Sequence, residues 1–596
     1  MSQRSTQKSH SEEESLGKVY DRILMGRLFE YIAPYRALMA AGIVLLLLLS
    51  LVELSFPYLT KTAIDGPFAN SDWRGLMRIS IIFLALQLVA FFLRFAQIYT
   101  AQSLGQRIIF DLRRRILQHI HDLDMETFDR QPVGRLMTRV TNDVEVLNQL
   151  FTTGLVNIAG DLITLLGIVI ILFLLNVELA TVSLIVVPLL FIATHLFRSK
   201  VRKAFVVIRV KTAALNSFIQ ESTQGIALIQ VMRRERHRYG QFKTINGEYR
   251  DAYVRSIFYY AVFFPLVDGL EELAVALVLG YGGAKIIGGI LTFGALVAFI
   301  QYSQRFFRPI RDLTERYNTL QSAMAAAERI FALLDTEGRI QSDSKPYLPV
   351  NVLGGVEFRN VSFAYRADQP VLEDVSFNVN PGETIAIVGP TGAGKTTISS
   401  LLTRFYEIQT GAILLDGIDI RKWDLVALRH SVGIVLQDAF LFSGTVAENI
   451  RLRDSSIPYS RMEWAARQVQ AHELIQRLPK GYDTPIGERG ARLSVGERQL
   501  LAFARALVFD PPLLVLDEAT SSIDSETEAR IQLALRRLAS DRTSILIAHR
   551  LSTIRDAGKI IVLNKGRLID QGPHEELVQR CSIYKTLYEL QIQESV

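Results

Sequence analysis

Long apolar runs dominate roughly the first 320 residues and then stop. Two of them read "LMAAGIVLLLLLSLVEL" and "DLITLLGIVIILFLL". A helix of about 20 such residues spans the hydrocarbon of a bilayer, and no other open structure satisfies its backbone there. Six spans are predicted, at 38–59, 76–101, 155–176, 179–197, 257–284 and 291–310, with single charges interrupting the second and third. The amphipathic stretch "GRLFEYIAPYR" precedes the first and is expected to lie along the inner surface.

Net charge is +6. The basic clusters, such as "DLRRRI" and "RSKVRKAF", fall between hydrophobic runs and form no patch interleaved with aromatics. That is the Lys/Arg excess of a membrane protein's cytoplasmic side, and it argues against a nucleic-acid partner. The loops after spans two and four are long, basic and helix-like. They place both termini in the cytoplasm; the cytoplasmic (inner) membrane is the location expected for the protein. Short transverse helices are expected near 125–130 and 213–225. The N-terminus is polar without an apolar h-region, so no cleaved signal is expected. The one cysteine, Cys581, permits no intrachain disulfide.

Acids at membrane depth are costly unless they face a cavity or a partner helix. Glu53, Asp161, Asp268, Glu271 and Glu272 are the candidates. Asp268, Glu271 and Glu272 share one helical face by their i, i+3, i+4 spacing. They suit a cavity for cationic or amphipathic substrates, or polar contacts between helices.

Beyond about Val350 the spans give way to short apolar runs bounded by Gly and Pro. The expected division is a polar tail at 1–24, a membrane domain at 25–335, a linker at 336–350 and a second domain at 351–596. In that last domain the buried strand "TIAIV" leads into "GPTGAGKTTISSLL". Gly389, Gly394, Lys395 and Thr396 fit the phosphate-loop pattern in its strand–turn–helix context. Gly389, Pro390, Thr391, Gly392, Ala393, Gly394 and Thr397 would wrap the phosphates at a positive helix end, with the backbone N–H groups of all but Pro390 as donors. Lys395 would hold the β- and γ-phosphates, and the Thr396 hydroxyl would ligate Mg²⁺. The strand "LLVLDE" delivers Asp517 and Glu518, one carboxylate for the metal and one to orient an attacking water. The strand "TSILIAH" delivers His549 within reach of a γ-phosphate.

This ordered set resembles an ABC exporter half-transporter over nearly the whole chain. The resemblance is to the multidrug and lipid exporter group, and most to one half of a heterodimeric bacterial multidrug exporter. It implies six transmembrane helices of exporter type, domain-swapped in a dimer of twelve, fused to an α/β ATPase domain using ATP and Mg²⁺. It implies that Tyr365 stacks on adenine, that Gln437 senses Mg²⁺ and the membrane domain, and that Glu518 is the general base. It implies further that His549 is the switch histidine and that Asp524 lines the dimer interface. "ETFDRQPVG" and "FIQESTQG" resemble the two coupling regions, and "TPIGERG" the segment that meets them.

One motif departs from the family's pattern. Where Leu-Ser-Gly-Gly-Gln is usual, this chain has Leu493, Ser494, Val495, Gly496 and Glu497. In a closed dimer this segment meets the γ-phosphate held by the other chain. Ser494 and Gly496 survive, but Val495 is branched and Glu497 adds a negative charge near a polyanion. Ser494 and Glu497 also have the spacing of a helix capping box. A full hydrolytic set beside a weakened signature implies a non-identical partner subunit with a degenerate catalytic site. A homodimeric lipid or peptide exporter, or an ATP-gated channel or regulator, remains the alternative. The residues do not specify the cargo beyond an amphipathic drug-like or lipid molecule.

Overall fold

The computed structural model describes residues 22–595 except 337, 339, 341, 342, 344, 438, 518–524, 541, 548–553 and 556. Backbone contacts divide it into two compact units. One joins the segment ending at His121 to Val133–Thr336, and the other joins Asp122–Pro132 to the C-terminal region beginning at Glu337.

Among its described residues the first unit holds helices and no strand. A short helix α1 (Arg22–Ile32) buries Met25, Leu28 and Ile32 at the spacing of one face. Arg27 on α1 grips Asp335 with two hydrogen bonds of 2.6 and 2.7 Å, tying the start of the unit to its end. The arginine holds the Asp335 carboxyl below the usual carboxylate range, chiefly through those bonds.

The long helices follow. These are α2 (Arg36–Ala63), α3 (Trp73–Asp122), α5 (Leu155–Leu175), α6 (Val187–Gln224), α7 (Glu235–Ile287) and α8 (Phe293–Leu334). The 50 residues of α3 reach about 75 Å at 1.5 Å each, more than twice a hydrocarbon core. Large apolar side chains such as Phe91, Phe92, Leu166 and Phe191 are exposed along these helices, as on faces that meet lipid or another subunit.

Among the described residues, four helical stretches are long and apolar enough to cross a membrane: Arg22–Phe68, Trp73–Asp122, Val133–Leu175 and Val177–Gln224. The expected fifth and sixth spans lie in α7 and α8, which are continuous helices but more polar. Asp268, Glu271 and Glu272 fall within α7, and Arg305 and Arg308 within α8.

The expected short helix at Met125–Arg130 is present as α4. Asp124 caps it by accepting the Thr127 N–H at 3.0 Å. The expected short helix at 213–225 is not there. Helix α6 runs on to Gln224, and Gly225 breaks it, so the separate short helix is Ile226–Val231.

The second unit holds two sheets. Strands β1 (Val356–Arg366) and β2 (Gln369–Val379) form an antiparallel hairpin. The order of the first sheet is β2-β1-β4-β5, with β4 at Thr410–Leu415 and β5 at Ile418–Asp419. The second sheet has the order β10-β9-β3-β8-β7-β6. Its members are β3 (Thr384–Val388), β6 (Val432–Val435), β7 (Leu513–Asp517), β8 (Thr543–Ile547), β9 (Lys559–Asn564) and β10 (Arg567–Gly572).

Strands β3, β6, β7, β8 and β9 pair in parallel. Every residue of β7 and β8 is buried, as a sheet covered on both faces requires. Phe358, Val375, Ile385, Ile387, Val515, Ile545 and Ile561 share one core beneath the phosphate loop. That core fixes the loop at the carboxyl end of β3, where ligands bind in parallel sheets.

Candidate functional site

The loop after β3 opens into helix α9 (Lys395–Leu402), whose N-cap Gly394 has φ +97° and offers no side-chain cap. A Cβ at Gly394 would lie 2.6 Å from Leu372 Cδ2, so glycine is required by both angle and space. A Cβ at Gly389 would come within 2.2 Å of the Leu563 carbonyl oxygen. The first amides of α9 therefore face outward without a side-chain acceptor, which suits phosphate oxygens. Pro390, Thr391 and Gly392 are exposed on the rim of the loop, while Ala393 and Thr397 are buried under it.

Lys395 is only 6% exposed, and its ammonium donates to the carbonyls of Gly389 at 2.6 Å and Pro390 at 3.2 Å. Burial pulls its pKa down, and the neighbouring Asp517 works in the opposite direction. Asp517 ends the buried strand β7 and is 5% exposed. It accepts the Thr396 hydroxyl at 3.2 Å. A hydroxyl and a carboxylate converge beside the phosphate loop, a pair of hard oxygen donors that fits Mg²⁺.

Tyr365 stands beside α9, and its hydroxyl donates to Thr397 Oγ1 at 3.3 Å. Its ring lies edge-on to Phe363 at 4.8 Å and to Tyr406 at 5.0 Å, and it is 40% exposed, so a ring face is open to stacking. Gln437 follows β6 and is exposed. Glu518, Asp524 and His549 lie outside the described residues; the strands that lead to Glu518 and His549 are β7 and β8.

The altered signature starts helix α10 (Val495–Val508). Ser494 and Glu497 form the full capping box. The Ser494 side chain accepts the Glu497 N–H at 3.3 Å, and Glu497 accepts the Ser494 N–H at 2.7 Å. Gly496 is buried and Val495 is half exposed. Arg498 does not turn to Glu497; its Nη1 donates to the Leu493 carbonyl at 2.9 Å.

In the membrane unit the five acids do not act as one group. The Glu53 carboxylate is paired with Arg94 of α3. Asp161 on α5 is half-buried, Glu271 on α7 is half-buried, and Asp268 and Glu272 are exposed. Asp161, Asp268 and Glu271 each engage a neighbouring group.

One relationship escapes sequence reading. Tyr406, just past α9, donates its hydroxyl to Asp129 on α4 while its ring edges against Tyr365. Burial and the contact with Asp129 push the phenol above its ordinary range. The pair is 277 positions apart, so no local signal announces it.

Comparison with known proteins completes the picture. The ABC transporter transmembrane region family matches residues 39–310, and the ABC transporter family matches residues 372–521. The chain is 37% identical to the ABC transporter ATP-binding protein YknV of Bacillus subtilis, over 98% of this chain and 97% of that protein. It is 36% identical to the ATP-dependent lipid A-core flippase of Syntrophus aciditrophicus, over 95% of this chain and 94% of that one. The structure of a bacterial Atm1-family ABC exporter with ATP bound superposes with a TM-score of 0.78 at 30% identity, covering 95% of this chain and all of that one.

Proposed function

This chain belongs to the ABC transporter family, as a membrane region fused to an ATP-binding domain of the multidrug and lipid exporter kind, and we propose that it is one half of a dimeric, non-identical pair exporting an amphipathic drug-like or lipid substrate. It is a multi-pass membrane protein driven by ATP hydrolysis. The excess of Lys and Arg in the long loops supports a cytoplasmic nucleotide domain and cytoplasmic termini.

Lys395 and the α9 amides would hold the triphosphate, and Tyr365 would stack on adenine. Thr396, Asp517 and Gln437 would hold Mg²⁺, which neutralises charge on the β- and γ-phosphate oxygens when bound. Glu518 would orient water for attack on the γ-phosphorus, giving ADP and phosphate, with His549 at the γ-phosphate. Ser494, Gly496 and Glu497 would face the partner's nucleotide, and Asp524 would cross the interface. The acids on α5 and α7 remain the candidates for lining the substrate path.

The observation that carries the unequal pair is the contrast within one chain. The Lys395–Thr396–Asp517 set is in place, yet the signature carries a carboxylate at Glu497. ATP binding would close the pair and turn the membrane helices outward, and hydrolysis would reset them. Purifying the chain alone and with a co-expressed second half-transporter tests this. Full, cooperative transport by the chain alone would sink the unequal pair. Uphill transport in sealed vesicles separates a pump from an ATP-gated channel, which would only dissipate a gradient.

A further inference from the structure

A proline inside a helix has no N–H for the carbonyl one turn earlier, and its ring pushes that carbonyl aside. In hydrocarbon no water can take the missing place, so another part of the protein must. Pro57 is buried within α2, and the carbonyl it deprives is that of Glu53. That carbonyl accepts from Arg305 Nη1 of α8 at 2.5 Å. The next carbonyl, of Leu54, accepts the Tyr302 hydroxyl of the same helix at 2.6 Å.

Tyr302 and Arg305 are spaced i, i+3, so their side chains leave α8 on one face and meet two consecutive carbonyls. Tyr302 is fully buried. The Arg305 guanidinium also lies 5.9 Å from the ring of Phe56, directly before the proline. The Glu53 carboxylate is taken by Arg94 of α3, while Arg305 serves the Glu53 backbone. Three helices thus meet at one proline.

We infer that Arg305 and Tyr302 are positioning residues for the transport cycle: they complete the backbone of α2 where Pro57 interrupts it, and so fasten α2 to α8 in this conformer. The inference rests on the pump reading above. Removing the Arg305 donor takes from the Glu53 carbonyl the partner that replaces its missing helical N–H, and removing the Tyr302 hydroxyl loosens the neighbouring Leu54 carbonyl from the same helix. This conformer then becomes harder to regain in each cycle, and turnover slows. Neither residue touches nucleotide, so the effect falls on rate and not on ATP affinity.

The test is the steady-state ATPase of the full-length protein in lipid nanodiscs, co-assembled with its partner subunit where the pair is required. Arg305→Met keeps an unbranched apolar stem and removes the donors. It is expected to lower kcat at least about tenfold, in line with a lost charged hydrogen bond, with KM for ATP unchanged. Arg305→Lys, which keeps a donor, should retain most of the rate. Tyr302→Phe, which removes one oxygen, should lower kcat in the same direction, and it carries the test if Arg305→Met does not fold. Pro57→Ala returns an N–H to the Glu53 carbonyl. Added to Arg305→Met, it should restore kcat to within about twofold of Pro57→Ala alone. Unchanged kcat in both donor variants overturns the inference. So does a loss that Pro57→Ala fails to repair, because Arg305 would then act through its charge. A wild-type protein without ATPase activity would sink the pump reading instead.

Discussion

Glu497 accepts the backbone N–H of Ser494 at 2.7 Å, so the residue that departs from the family's signature is also the closing member of a helix cap. A glutamine can close the same box. The acid therefore costs the helix nothing, and its consequence lies in its charge. At about 4 Å and an effective dielectric of about 20, a carboxylate repels one phosphate charge by roughly 4 kcal/mol. Arg498, turned to the Leu493 carbonyl, leaves that charge uncompensated from its own side.

Glu497→Gln should leave thermal stability within about 0.5 kcal/mol, since the cap is kept. With the partner subunit co-assembled, ATP at the site this signature faces should bind several-fold more tightly, read by a fluorescent analogue. An unchanged affinity would mean that the acid does not approach the phosphate.

Asp517→Asn and Thr396→Val each remove one member of the 3.2 Å hydroxyl–carboxylate pair. ATPase activity should fall by about a hundredfold or more if the pair holds the Mg²⁺ proposed above, which would stabilise charge on the transferring phosphoryl group. ATP binding, read by a fluorescent analogue, should weaken less. Equal loss of binding and turnover would show that the pair serves the fold and not the chemistry.

Lys395 gives a pH prediction. Burial sets its folded pKa below the ordinary 10.5, so between the two values the unfolded chain holds more protons than the folded one. Its contribution to stability therefore rises with pH through that window. ATP phosphates beside the ammonium reverse the shift, so ATP binding within that window should take up protons. Calorimetry in buffers of different ionisation enthalpy measures this uptake, and Lys395→Met should abolish it.

Tyr406→Phe keeps the ring against Tyr365 and removes the bond to Asp129. The α4 segment should then be released more often, by about fivefold or more in cleavage rate if the bond is worth about 1 kcal/mol net. Limited trypsin digestion at Arg130 reads it, and an unchanged rate would show that the hydroxyl does not hold α4.

The parts of this protein that sequence reveals are those written in contiguous residues. The phosphate loop is legible because strand, glycine turn and helix occupy one short stretch, and Gly389 and Gly394 sit where side chains would collide. Helix α4 is legible because Asp124 caps it locally. The coupling helix expected at 213–225 failed because the hydrophobic pattern of α6 runs on unbroken to Gly225, which alone marks its end. Contacts between distant positions were not legible. Pro57 announces that a carbonyl needs a partner, but not that Arg305, 252 positions on, supplies it. The five membrane acids looked alike in sequence, yet only the fold pairs Glu53 with Arg94.

The most direct measurement is the ATPase rate and vanadate trapping of this chain purified alone, against the same chain co-expressed with a second half-transporter. The unequal-pair reading predicts weak, non-cooperative hydrolysis alone. With the partner it predicts a rise of at least about tenfold, abolished by Glu518→Gln in this chain. Full, cooperative activity from this chain alone would contradict it, and would show that two Val495–Glu497 signatures can close over ATP.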